Sequence, residues 1–230
     1  LFLLYYVFMT INLRMTTVQV NAQDNQKLTD NIEIWQDELV SALLSLSQNS
    51  TVQGAMSRTN TETVSEVNHL IYQRINDLQL QVIFTLTDQE GEIVSTNLNR
   101  DNQALFLSAM PNKALREYLE KRDLLYGERY SRINYLYEQN TVWLFAARIM
   151  RERKTIGYLY LDVTETGLRD KLSQNRSDAV VLVDEFDNVI YSETQQTIGN
   201  IGKLSIHVEN DGFVAINARQ YYVSVSTIAD

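Results

Sequence analysis

The sequence predicts an α+β fold in which long N-terminal helices pack on two successive antiparallel sheets. Three observations predict it. Apolar residues recur at helical spacing through the first 80 residues. From Val82 onward the period changes to two. One pattern of strand, acidic turn and strand then occurs twice, at Asp88 and again 96 residues later at Asp184.

Composition sets the outer limits. Of 230 residues, 44% are hydrophobic and 21% charged, which suits a globular chain with a real core. A net charge of -9 without a basic stripe argues against a nucleic-acid partner. No cysteine is present, which excludes thiolate catalysis, disulfides and cysteine-based zinc sites. The two histidines, His69 and His207, lie in different segments and have no second histidine at metal spacing. No phosphate-binding glycine loop, dinucleotide fingerprint, zinc-protease helix or nucleophile elbow occurs. The chain therefore reads as a non-enzyme, with no catalytic residue, metal or cofactor expected.

Leu1 to Ile11 carries no charge and is nearly all apolar. It is shorter than the roughly 20 apolar residues a membrane span needs. It reads as the outer end of a transmembrane helix, with residues 1–20 forming a membrane-proximal stalk. Residues 21–80 read as helical. Leu28, Ile32, Trp35, Leu39, Ala42 or Leu43, and Leu46 alternate steps of four and three, close to a heptad. That stripe predicts either a parallel homodimer seam or packing on the chain's own sheet. A polar stretch from Ser47 to Glu62 interrupts it, with Gly54 as the expected break. Val64, Val67, Ile71, Ile75 and Leu78 predict a second helix ending near Leu80.

Residues 81–173 predict a membrane-distal subdomain. Val82–Leu86 and Glu92–Thr96 are short strands around an Asp88-Gln89-Glu90-Gly91 turn. Ala114–Lys121 suggests a short helix. Arg129–Gln139, Val142–Arg151 and Thr155–Val163 form an antiparallel meander with hairpins at Gln139-Asn140-Thr141 and Glu152-Arg153-Lys154. Thr164 caps a helix reaching Leu172. Residues 174–230 predict a smaller, membrane-proximal subdomain. It holds the second acidic turn and strands at Leu204–Glu209, Gly212–Asn217 and Gln220–Ile228. The acids Asp184, Glu185 and Asp187 lack the twelve-residue calcium-loop pattern and read as a solvated turn. The chain ends just after a strand, which suggests that the natural protein continues.

Three stretches carry a family resemblance: Leu43–Val52, Ile156–Val163 with Leu168 and Leu172, and Gly212–Asn217 with Tyr221–Ser224. The chain resembles the extracytoplasmic double Cache sensor domains of bacterial receptors, relatives of the PAS fold. It is most similar to those of YesM/LytS-type sensor histidine kinases of Gram-positive bacteria. The resemblance implies two PAS-like sheets, a placement outside the cytoplasmic membrane between flanking transmembrane helices, and a kinase core elsewhere in the parent protein. It also implies sensing of a small molecule, and kinases of this group are linked to sugar uptake.

Strand alternation names the candidate ligand site. Ile133, Tyr135 and Tyr137 share one face of their strand. Trp143, Phe145, Ala147 and Ile149 share a face on the next, opposite Val142, Leu144, Ala146 and Arg148. On the third, Leu159, Leu161 and Val163 form an apolar face suited to helix packing, and Tyr158, Tyr160 and Asp162 form one suited to a pocket. The candidate ligand-binding residues are therefore Tyr135, Tyr137, Trp143, Arg148, Tyr158, Tyr160 and Asp162. In amino-acid-binding Cache domains an aspartate near this strand end contacts the ligand amine, and Asp162 resembles it. The Tyr and Arg pattern that accompanies that aspartate is not found. Thirteen Tyr and two Trp also fit a carbohydrate, whose ring faces stack on aromatic side chains. A chemoreceptor ectodomain and a ligand-free adhesion or scaffold module are the alternatives to a kinase sensor.

Overall fold

The computed structural model describes residues 2–57, 61–79, 81–98, 103, 125–128, 141–172, 180–183, 189–192, 212–216, 219–224 and 226. Helix α1 runs unbroken over Phe2–Ser47, because no Pro or Gly occurs in those 46 residues. No described helix is long and apolar enough to cross a membrane. The chain breaks at Gln48 and Asn49, ahead of the expected Gly54. The Asn49 side-chain oxygen accepts the backbone N–H of Thr51 at 2.8 Å and caps α2, Ser50–Ser57. Gly54 lies inside α2, where an added Cβ would meet nothing within 4 Å. Helix α3, Thr61–Asp77, buries Val67, Ile71 and Ile75 along one stripe. It stops short of Leu80 because Gln79 adopts a left-handed backbone, φ 51°, that a helix cannot continue through.

The heptad-like stripe on α1 is consumed within the chain. Leu28, Ile32, Leu39, Ala42, Leu43 and Leu46 are all buried, so the seam proposed from these residues is not available to a second copy.

Five strands form the main sheet: β1 (Val82–Asp88), β2 (Ile93–Thr96), β3 (Leu125–Glu128), β4 (Thr141–Arg151) and β5 (Lys154–Thr164). Their order is β2-β1-β5-β4-β3, with every neighbouring pair antiparallel. The β1–β2 turn is held by Asp88, whose Oδ1 accepts the N–H groups of Gly91 and Glu92, each at 2.8 Å. Gly91 has φ 94°, which only glycine adopts without strain. Beyond β2, the Asn97 side chain accepts from Phe84 N and donates to Val82 O, extending the ladder past its last paired strand residue. Strand β5 passes directly into α4, Glu165–Leu172, and the Thr164 hydroxyl accepts the N–H of Gly167 at 3.1 Å as the expected N-cap. A Cβ on Gly167 would stand 2.6 Å from the carbonyl oxygen of Gln81, so the start of α4 lies tight against the entry to β1.

Two further hairpins pair β6 (Val181–Val183) with β7 (Val189–Ser192), and β8 (Gly212–Ile216) with β9 (Arg219–Val223). Two compact units result, Gln36–Lys203 and Leu1–Trp35 with Leu204–Asp230. In the second, the Asn25 amide donates to Ser224 Oγ at 3.2 Å and to Ser226 Oγ at 2.8 Å. The strands expected at Arg129–Gln139 and Leu204–Glu209, the helix at Ala114–Lys121 and the turn Asp184–Asn188 lie outside the described residues.

Candidate functional site

Register decides which side chains share a face of the five-stranded sheet. On one face Phe84 pairs with Leu161 and Phe145 with the same Leu161, while Leu86 pairs with Leu159. This face packs on helices. The Tyr72 ring of α3 meets Phe84 edge-on, with centroids 5.3 Å apart and planes at 89°. The Ser95 hydroxyl of β2 bonds the Asn68 side chain of α3. Gly157 of β5 lies so close to the Thr87 carbonyl and to Met56 of α2 that no Cβ fits.

The opposite face consists of three cross-strand rows. Ile93, Thr87, Tyr158 and Arg148 make the first. Thr96, Thr85, Tyr160 and Ala146 make the second, with Leu125 of β3 beside Ala146 in register. Ile83, Asp162 and Leu144 make the third. Tyr158, Tyr160, Leu144, Ala146 and Leu98 form one buried cluster, with Ile83 and Ile93 packed against it. The two tyrosine rings lie 6.4 Å apart, tilted by 32°. Asp162 is only 3% exposed, so its carboxyl group has been taken out of water in the row next to Tyr160. Arg148 is half-buried, about 13 Å along the strand direction from the Asp162 row, at four residues of roughly 3.3 Å each. One end of this face thus carries a carboxyl group and the other a guanidinium, with tyrosines between. The Thr85 hydroxyl lies 3.1 Å from that of Thr96. The buried Thr87 hydroxyl finds no hydrogen-bond partner among the described residues.

The sequence-predicted site residues divide accordingly. Tyr158, Tyr160, Asp162 and Arg148 come together on one face. Trp143 pairs in register with Val163. Tyr135 and Tyr137 lie outside the described residues. Thr85 and Thr87 were missed, although Val82, Phe84 and Leu86 alternate with Ile83, Thr85 and Thr87 in a way that marks a two-sided buried strand.

A separate cavity of about 320 Å³ opens at the start of β1, between Tyr72, Ile75 and Asn76 of α3, residues Gln81, Val82 and Ile83, Asn97 and Thr164. Its lining is uncharged, and its most constrained polar group, Asn97, is already engaged by the β1 backbone. No group of three or more acidic or histidine side chains that could hold a metal ion stands among the described residues.

No protein-family model matches the chain, and no curated protein matches it. Solved structures do. The sensory domain of the Campylobacter jejuni chemoreceptor Tlp3 (CcmL) is similar over 93% of this chain and 90% of that one, at 12% identity and a TM-score of 0.63. The sensor domain of the V. cholerae histidine kinase DctB is similar over 92% and 88%, at 14% identity and a TM-score of 0.54. The ligand-binding domain of the Pseudomonas fluorescens chemoreceptor CtaA, in complex with L-isoleucine, is similar over 92% and 86%, at 10% identity and a TM-score of 0.59. At these identities the likeness establishes the fold. The chain has the helix-backed antiparallel architecture of the Cache/PAS-like sensor domains, with a long N-terminal helix, as its sequence predicted.

Proposed function

We propose that this chain is the extracytoplasmic ligand-sensing domain of a bacterial membrane receptor, either a sensor histidine kinase of the YesM/LytS-type group or a chemoreceptor. One observation carries the reading: Asp162 is buried on the sheet face turned away from the helices, in the row next to Tyr160, with Tyr158 in the row beyond. A module that only packs would fill this face with apolar side chains, as the helix side is filled. A ligand ammonium meets both features, by a charge-assisted hydrogen bond to Asp162 and by attraction to the tyrosine rings. Arg148, at the far end of the same face, suits a ligand carboxylate. Amino acids in solved domains of this fold support the reading: Tlp3 has been solved with isoleucine and with L-valine, and CtaA with L-isoleucine.

A carbohydrate is the second reading, favoured by the Thr87 hydroxyl, which has no partner among the described residues, and by the adjacent Thr85 and Thr96 hydroxyls. Calorimetric titration of the chain with L-isoleucine, L-valine, ω-amino acids and neutral mono- and disaccharides separates the two. Amine binding that falls roughly 10- to 100-fold in Asp162→Asn, the loss expected for a hydrogen bond to a charged group, supports the first reading. Saccharide binding insensitive to Asp162→Asn replaces it with the second. Binding of neither class, with the fold intact, overturns both.

A further inference from the structure

We infer that the cavity at the start of β1 is a second small-molecule site, for an uncharged planar heterocycle with a donor–acceptor edge, of the pyrimidine- or purine-base kind. The inference does not rest on the amine reading. The cavity borders the third row of the sheet face through Ile83, yet none of Tyr158, Tyr160, Asp162 and Arg148 lines it. Its volume of about 320 Å³ falls in the range of roughly 300–1,000 Å³ that small-molecule sites occupy.

Three features of the lining point to a ligand. The first is Tyr72. Among the described residues outside α1 it is the one large apolar side chain left exposed, at 44%. Its ring is nonetheless held in place by its edge-on contact with the buried Phe84. A fixed aromatic ring that still meets solvent offers a stacking surface. The second is Thr164, 2% exposed, whose oxygen accepts the Gly167 N–H while no acceptor among the described residues takes its O–H proton. A buried donor left unused is costly, and an acceptor atom of a ligand reaching into the cavity satisfies it. The third is a pair of side-chain amides, Asn76 and Gln81, both exposed and with no hydrogen-bond partner for either side chain among the described residues. A primary amide sets a donor beside an acceptor, and so matches a ligand edge that sets an acceptor beside a donor.

The rest of the lining narrows the class. It contains no Asp, Glu, Lys, Arg or His, so an ion entering it would shed water with no countercharge in return. Ile75, Val82 and Ile83 are aliphatic, and a ligand polar on every side would leave hydroxyls unpaired against them, which disfavours a sugar. A nucleobase carries its polar atoms along its edge and has two apolar faces, one of which can stack on Tyr72. Asn97 keeps the β1 side of the cavity in place, since its side chain bonds both Phe84 N and Val82 O.

Adenine, cytosine and uracil are the probes. In amide NMR spectra of the whole chain, the side-chain N–H signals of Asn76 and Gln81 should move saturably with at least one of them. Calorimetry should then show affinity falling roughly two- to tenfold in each of Asn76→Ala and Gln81→Ala, the loss expected for one hydrogen bond. Both residues are exposed, so these variants keep the fold. Tyr72→Ala should lose roughly tenfold or more, and Tyr72→Phe should retain most of the affinity because the stacking ring remains. The absence of a saturable shift with all three bases overturns the proposal, and so does an affinity indifferent to both amide variants. Shifts confined to the backbone signals of Thr85, Thr87 and Tyr160 assign the bases to the sheet face and overturn it while leaving the sensing reading intact. D-glucose bound at Asn76 and Gln81 more tightly than every base overturns the heterocycle in favour of a sugar. Base binding at Asn76 and Gln81 without any amine binding supports the site and counts only against the amine reading.

Discussion

The two faces of the five-stranded sheet use the same strands and are both buried, yet they are made of different material. Phe84, Leu86, Phe145, Leu159 and Leu161, on the helix side, are at most 1% exposed and wholly apolar. Thr85, Thr87, Tyr158, Tyr160 and Asp162, on the other side, are equally hidden and carry a hydroxyl or a carboxylate each. A chain selected for stability alone would fill both faces alike, because burying apolar area yields about 25 cal/mol per Å² whereas buried polar groups at best recover their lost hydration. The difference teaches that the first face holds the sheet to its helices and the second is kept for something else. Substitutions should therefore separate stability from binding according to the face they touch.

The largest effect is expected from Leu161→Ala. Truncating this fully buried residue should cost about 3–5 kcal/mol and leave the ligand affinity of the folded protein unchanged. Urea denaturation reads the first quantity and calorimetry below the transition reads the second. If affinity falls as steeply as stability, the two faces are not independent, and the comparison breaks.

Gly157→Ala comes next. The new methyl would collide with the Thr87 carbonyl, which is backbone, and with the Met56 side chain, which can yield. Overpacking of this kind costs about 1–3 kcal/mol. Because Thr87 also belongs to the tyrosine face, this variant alone should shift both stability and affinity. A change in one without the other would show that the backbone of β1 does not couple the faces.

How much of this was legible in the sequence follows from the same sheet. Alternation within β5 separated Leu159 and Leu161 from Tyr158, Tyr160 and Asp162, because a strand has only two faces. Alternation does not say which set of one strand joins which set of its neighbour. That depends on pairing register, which sets Phe145 opposite Leu161 and Ala146 opposite Tyr160. The helical stripe on α1 was equally legible, but periodicity alone does not tell a seam with a second copy from packing within the chain. Burial of Leu39 and Leu43 decides it in favour of packing within the chain at those positions. The cap at Thr164 was readable because its chemistry is local. The break at Asn49 was masked by the expectation that Gly54 would end the helix, although the capping side chain and the Thr51 N–H it accepts are only two residues apart.

Thr164→Ala tests that local chemistry. Removing the hydroxyl that accepts the Gly167 N–H should cost about 1 kcal/mol, the usual loss for an N-cap, since Thr164 is buried and water cannot replace it easily. Thr164→Ser should retain most of that stability. Equal loss in the two variants would mean that the threonine methyl, and not the cap, is what matters there.

The smallest effect should have the opposite sign. The β4–β5 hairpin turns on two residues, Glu152 at φ 52° and Arg153 at φ 66°, the left-handed pair of a two-residue hairpin turn. Neither residue adopts that region willingly, whereas Asn and Gly do. Both side chains are exposed, so replacing them removes no packing. The double substitution Glu152→Asn with Arg153→Gly should therefore raise stability by about 1 kcal/mol, read as a higher urea midpoint with an unchanged slope. The same hairpin sets the register that places Phe145 opposite Leu161 and Ala146 opposite Tyr160. A turn that only relieves backbone strain leaves that register, and hence ligand affinity, as it was. A stabilised variant with altered affinity would instead show that the strained turn holds the tyrosine face in its working geometry, which would tie the binding face to a feature of the sheet some distance from Asp162.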